Sequence, residues 1–154
     1  MRLSDYVRED LVLHDLRARD ALHALQTFGA RFEASGHVSA GVRATEALKT
    51  REESHTTCLG RGVAVPHATL EGLLKPLLLV ATASEPVPFG PPDADPVDIF
   101  FVLLSPPEKE GEHIKLLARI CRLAQHPEDL ADLRSASSRE SLLAVLLDLD
   151  SRHV

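Results

Sequence analysis

Hydrophobic positions along this chain recur with two different periods, and the changes between them mark its elements. A short apolar run, Leu11-Val12-Leu13, reads as a strand. Behind Asp20, a residue suited to cap a helix, Leu22, Leu25, Phe28 and Phe32 recur at helical spacing, and Gly36 ends the pattern. A second helix is predicted from an N-cap at Ser39 through Val42, Ala47 and Leu48 toward Arg51. The period then shortens. Gly60-Arg61-Gly62 punctuates a loop, Val63-Ala64-Val65 reads as a short strand, and Pro66 fixes the backbone before His67. Leu77 to Ala83 and Asp98 to Leu104 lack polar alternation, as strands covered on both faces do. Between them, Ser84 to Val97 holds five of the ten prolines (Pro86, Pro88, Pro91, Pro92, Pro96), a length that predicts a short hairpin or edge strand around Val87-Pro88-Phe89. Behind Glu112, the positions Ile114, Leu117, Ile120 and Leu123-Ala124 define the core face of a third helix, with Lys115, Arg119 and Arg122 as a solvated basic stripe. Two further helices are expected over Pro127 to Leu133 and Arg139 to Leu149. Strands alternating with helices predict an α/β class with helices on both faces of one sheet.

Composition narrows the setting. A chain of 154 residues, 44% hydrophobic and 26% charged, suits one globular domain with a real core. A run such as Ile99 to Leu104, which no apolar run exceeds in length, falls far short of the roughly 20 residues that span a bilayer. The charged start MRLSDYVRED lacks the apolar stretch of a secretory signal, and Cys58 and Cys121 form no disulfide framework, so a reducing cytoplasm is expected. A net charge of −6 argues against nucleic acid, which calls for a basic face. The eight histidines, in a chain without tryptophan, are the feature with chemical content.

Nucleotide-binding glycine motifs, the G-x-S-x-G elbow and H-E-x-x-H are all absent from the sequence. The densest polar stretch runs from Arg51 to His67. Glycines there let backbone amides approach an anion, Arg51 is a permanent cation able to grip two oxygens, and Pro66 positions His67. This combination suits phosphate. An imidazole is largely unprotonated at pH 7 and is a competent nucleophile toward phosphorus; a phosphohistidine donor would make a metal unnecessary.

The stretch Arg51-Glu52, Thr57, Gly60-Arg61-Gly62 and Val63-Ala64-Val65-Pro66-His67 resembles the signature of the enzyme IIA domains of the phosphoenolpyruvate-dependent phosphotransferase system, of the fructose/mannitol and nitrogen-regulatory type. Pro96 to Leu104 resembles the strand after that family's proline-rich loop, and Glu112 to Leu117 its helix start bearing a second histidine. The resemblance covers nearly the whole chain. It implies that His67 accepts phosphate from the histidine phosphocarrier HPr, that His113 hydrogen-bonds near the phosphorylated ring, and that Arg51 steadies the phosphoryl group. Thr57, Gly60 and Gly62 are expected to help bind phosphate. Cys58 departs from the family's frequent glycine, and the loop is expected to tolerate it because Gly60 and Gly62 remain. The expected architecture is an α/β, three-layer domain over residues 1–154, with a single mixed β-sheet flanked by helices on both faces.

Plainer roles compete at several positions. Arg51 can complete the dipole at the end of its helix, and Thr57 can cap a turn. A zinc set of His55, Cys58, His67 and His113 lacks a second matching ligand pair and is set aside, so neither metal nor cofactor is expected. Cys121 reads as an inert core thiol, and His14, His23, His37, His126 and His153 as surface or capping residues. The acidic Asp93, Asp95, Glu108, Glu110 and Glu112 suit docking to a basic phosphocarrier. The expected function is a phosphotransferase of the histidine-phosphocarrier kind. His67 would pass phosphate to a IIB component or control a regulated target protein, without membrane insertion and with homodimerisation an open option. The alternative is a metal- or ligand-binding module of the same fold.

Overall fold

Nine consecutive residues, Val97–Ser105, build the strand on which everything else is arranged: all but Asp98 are buried. Even-numbered side chains Phe100, Val102 and Leu104 enter one apolar cluster and odd-numbered Ile99, Phe101 and Leu103 enter another. A strand covered on both faces has no polar side to show, hence its unbroken hydrophobicity. The computed structural model describes residues 1–38 and 43–153.

Elements are numbered in chain order. The strands are β1 (Val7–Leu13), β2 (Cys58–Gly60), β3 (Val63–Ala64), β4 (His67–Thr69), β5 (Leu77–Val87) and β6 (Val97–Ser105). The helices are α1 (Ala21–Ala34), α2 (Ala44–Ser54), α3 (Glu110–Leu123), α4 (Pro127–Ser135) and α5 (Arg139–Arg152). The sheet order is β1-β5-β6-β3-β2, and β4 also pairs with β6. β1 runs parallel to β5, and β3 and β4 run parallel to β6, whereas β5–β6 and β2–β3 are antiparallel, so the sheet is mixed. Residues from α1 and α2 fill the cluster on one face; residues from α3, α4 and α5 fill the other. The three-layer α/β architecture expected from the sequence is present, although β2 to β6 follow one another with no intervening α-helix.

Several local expectations need correction. Asp20 caps α1 through a bond from the His23 amide, but Leu22 is 45% exposed, and Ala24, Leu25, Phe28 and Phe32 make the buried face. The Ser39 cap and Val42 lie outside the described residues; α2 as described starts behind Arg43. The strand expected to end at Ala83 continues to Val87, which pairs with Val97, so the proline-rich connection is shorter than the spacing suggested. On α3 the core face is His113, Leu116, Ile120 and Leu123, leaving Ile114 58% exposed. Ile120, Leu123 and Ala124 are buried as expected and Leu117 packs against them; at the start of the helix it is His113 rather than Ile114 that turns inward. Arg119 is not solvated either: its Nε donates to Asp150 Oδ1 at 2.7 Å and its guanidinium also donates to the Asp150 carbonyl, because α5 covers that side of α3.

Candidate active site

The placement of His67 follows from strand pairing. Val63 opposes Ile99 and His67 opposes Leu103, so β3 and β4 keep one register along β6 across the break at Val65-Pro66. Pro66 has no N–H to give to a ladder, and its carbonyl instead accepts from the Leu103 amide at 2.9 Å. Side chains alternate across a strand, so His67 shares the face of Val63 and Val65, the one covered by α3. The ring is half-buried. Its Nδ1–H donates to the Val65 carbonyl at 2.7 Å, which leaves Nε2 as the unprotonated nitrogen. Burial lowers the His67 pKa below its usual value; the Val65 bond opposes this, while Arg51 adds to it and Glu52 again opposes it.

Across from it stands His113 in the first turn of α3, with ring centroids 5.6 Å apart and planes at 53°. His113 is only 7% exposed, and its Nδ1 lies 2.6 Å from the hydroxyl of Ser105, the fully buried last residue of β6. Burial, with the adjacent His67 second, pushes its pKa down to about 4. It is therefore a neutral ring at pH 7, able to donate one N–H.

Arg51, in the last turn of α2, lines a cavity of about 210 Å³ together with Thr57, Cys58, Val65, His67 and Leu117. Its guanidinium donates to the His55 carbonyl at 2.9 Å, so it closes the end of α2 and stands beside His67 as well. Glu52 holds the next segment: its carboxylate accepts from the Thr57 amide and from the Thr57 hydroxyl, each at 2.7 Å. Both donors of Thr57 are thereby spent within the protein, and the Cys58 amide is bonded to the Thr56 hydroxyl. Gly60 and Gly62 do not line this cavity; they belong to the β2–β3 turn. Arg61 and Gly62 connect the two strands, both with positive φ, the backbone of a tight hairpin. A Cβ on Gly62 would come within 2.7 Å of Asp98 Oδ1 and 2.8 Å of the Arg134 guanidinium, which also donates to the Arg61 carbonyl. Glycine is required there by close approach.

The structure thus brings together His67, His113, Arg51 and Thr57, and keeps Gly60 and Gly62 one turn away. Sequence reading missed Ser105, whose only sign was a hydroxyl closing an otherwise apolar strand. Among the described residues, His55, Cys58, His67 and His113 supply no set of three ligand atoms within 4.8 Å of one another. Burial raises the thiol pKa of both Cys58 and Cys121, which keeps them protonated and poor nucleophiles. Cys58 instead fits against Gly90, where an added Cβ would lie 2.7 Å from its sulfur. The acidic residues divide: Glu108, Glu110 and Glu112 follow β6 on the His67 side, whereas Asp93 and Asp95 precede it, roughly 27–30 Å away along the strand. No helix among the described residues is long and apolar enough to cross a membrane.

A neutral nucleophile facing a neutral donor and a fixed cation is an arrangement for receiving a phosphoryl group. The family model for the phosphoenolpyruvate-dependent sugar phosphotransferase system, EIIA 2, matches residues 5–148. A nitrogen regulatory protein of Bradyrhizobium diazoefficiens is 35% identical over 147 residues, 95% of either chain. The crystal structure of nitrogen regulatory protein IIA-Ntr from Neisseria meningitidis superposes with a TM-score of 0.84 at 27% identity, covering 94% of this chain and 98% of that one. The mannitol IIA enzyme of Escherichia coli, solved in complex with phosphorylated IIB, shares the fold at a TM-score of 0.74 and 21% identity, covering 89% of this chain and 94% of that one.

Proposed function

Because this chain belongs to the EIIA 2 family of the phosphoenolpyruvate-dependent sugar phosphotransferase system, a family of phosphotransferase components, we propose that His67 Nε2 is its phosphoryl acceptor. The observation that carries this is the Nδ1–H bond to the Val65 carbonyl, which fixes the tautomer and leaves Nε2 as the lone-pair nitrogen. The P–N bond of an HPr-type phosphohistidine breaks as a P–Nε2 bond to His67 forms. The carrier's imidazole leaves with its electron pair and takes up a proton from solvent, while His67 keeps its Nδ1–H on the Val65 carbonyl.

The other groups serve the charge on the three transferring oxygens. Arg51 supplies a permanent cation that needs no rearrangement. His113 Nδ1 pairs with the Ser105 hydroxyl at 2.6 Å; with the hydroxyl as donor, His113 keeps Nε2–H to give to phosphate. Thr57, tied to Glu52, shapes the wall without reaching phosphate, and Gly60 and Gly62 set the hairpin that bounds the site. Glu108, Glu110 and Glu112 offer the acidic patch for a basic carrier, and encounter is expected to slow as salt is raised.

After phosphorylation two routes are open: transfer to a IIB component, as the mannitol IIA–IIB complex illustrates for that enzyme, or regulation of a target protein by phosphorylation state. The full-length likeness to nitrogen regulatory proteins favours regulation, in a cytoplasmic setting. The test is incubation with phosphoenolpyruvate, enzyme I and HPr, followed by mass spectrometry. One acid-labile, base-stable phosphoryl group is expected on the wild type and none on His67→Ala; label that persists in the variant, or never forms on the wild type, overturns the assignment.

A further inference from the structure

Far from the chemistry just described, the helical layer brings two more histidines together. His126 precedes Pro127 as the N-cap residue of α4, Asp129 lies in the first turn of the same helix, and His153 follows the end of α5. The Asp129 carboxylate is 3% exposed and lies 2.6 Å from His153 Nε2. Neither arginine that ends these helices reaches it: Arg152 pairs with Asp132 and Asp148, and Arg134 pairs with Asp98. The rings of His126 and His153 stack with centroids 4.6 Å apart and planes at 15°. One ligand atom from each of the three residues lies within 4.8 Å of the others.

We infer that His126, Asp129 and His153 form a binding site for a divalent transition-metal ion of the zinc or cobalt kind. Two imidazoles with one carboxylate are the donors such borderline ions prefer, and the set leaves a fourth position for water. Spacing supports the assignment. An ion with bonds of about 2.0–2.1 Å holds tetrahedral ligand atoms roughly 3.3 Å apart, so the His153–Asp129 contact opens slightly and the wider separations close. The ion would take the place of the proton that His153 Nε2 shares with the Asp129 carboxylate. The His126 side chain makes no helix-capping bond that coordination would have to break. The ion would staple the start of α4 to the end of α5, residues that lie 24 positions apart between Asp129 and His153, and so stabilise the layer that covers one face of the sheet.

The test uses the whole chain without an affinity tag, titrated with Zn²⁺ by calorimetry and with Co²⁺ by visible absorption. The expected result is one equivalent bound at micromolar or tighter affinity, a cobalt d–d spectrum of low coordination number, and a higher melting temperature with Zn²⁺. His126→Ala is expected to weaken binding at least about tenfold, and Asp129→Asn likewise. His67→Ala, in contrast, should bind as the wild type does. Absence of saturable binding, unchanged affinity in His126→Ala, or loss of binding in His67→Ala overturns the site. His126→Ala should still be phosphorylated at the normal rate, which keeps this site separate from the one at His67.

Discussion

Two pairs of imidazoles occupy this protein, and their surroundings differ in one decisive respect. His67 and His113 meet at a tilt, anchored to a carbonyl and a hydroxyl, with an arginine beside them. His126 and His153 stack against a buried carboxylate. In the first pair burial and the arginine penalise an added proton, so the rings stay neutral and one nitrogen remains nucleophilic. In the second, a buried carboxylate lies 2.6 Å from one ring nitrogen, and the three side chains together offer donors to a cation. Neighbours rather than residue type decide whether a histidine attacks an electrophile or holds a cation.

The strongest way to break this contrast is to delete one ring from each pair. His67→Ala should abolish phosphorylation completely with metal affinity intact, and His126→Ala should do the reverse, as read by mass spectrometry and calorimetry on the same samples. Next in size is Arg51→Ala, expected to slow phosphoryl transfer by about 10²–10³-fold with the circular-dichroism spectrum unchanged; Arg51→Lys should recover only part, since a point charge cannot grip two oxygens.

A pH experiment sharpens the claim of neutrality. With its folded pKa at about 4, His113 resists the proton that the unfolded chain takes up near 6.5. Below the unfolded value the unfolded state binds more protons, so stability is full above that pH and falls as pH drops toward the folded value. Between pH 7 and pH 5 the wild type should lose about 2 kcal/mol more unfolding free energy than His113→Gln, measured by urea titration. The smallest effect belongs to Ser105→Ala. Removing one hydrogen bond of about 1 kcal/mol should slow transfer about fivefold, and nitrogen NMR of the His113 ring should then show mixed tautomers where the wild type shows one.

How much of this was readable beforehand depends on how far apart along the chain the partners lie. The buried strands, the Asp20 cap and the turn before His67 were legible because their causes are local: apolar runs, one carboxylate, and a proline between valine and histidine. The family signature carried His67, His113 and Arg51 together. Ile114 was misplaced because His113 turns inward to meet Ser105 of β6, and Arg119 because Asp150 of α5 holds it; helical spacing reveals neither partner. His126 and His153 matched no motif and were read as surface residues, since only the packing of α4 on α5 makes them neighbours. Ser105 was silent for the same reason: its role exists only once α3 folds back over β6.

The break between β3 and β4 at Val65-Pro66 leaves a short strand at the margin of the sheet. Among the described residues β4 pairs only with β6, so His67 sits on an outer strand of the sheet. Exposed strand edges invite a neighbouring chain to add itself through backbone hydrogen bonds, a mode of association that is slow to reverse and leads toward aggregation. A segment only three residues long before the chain turns away makes a poor template for such addition. An edge this short favours contacts made through side chains, which break more readily than a run of backbone hydrogen bonds.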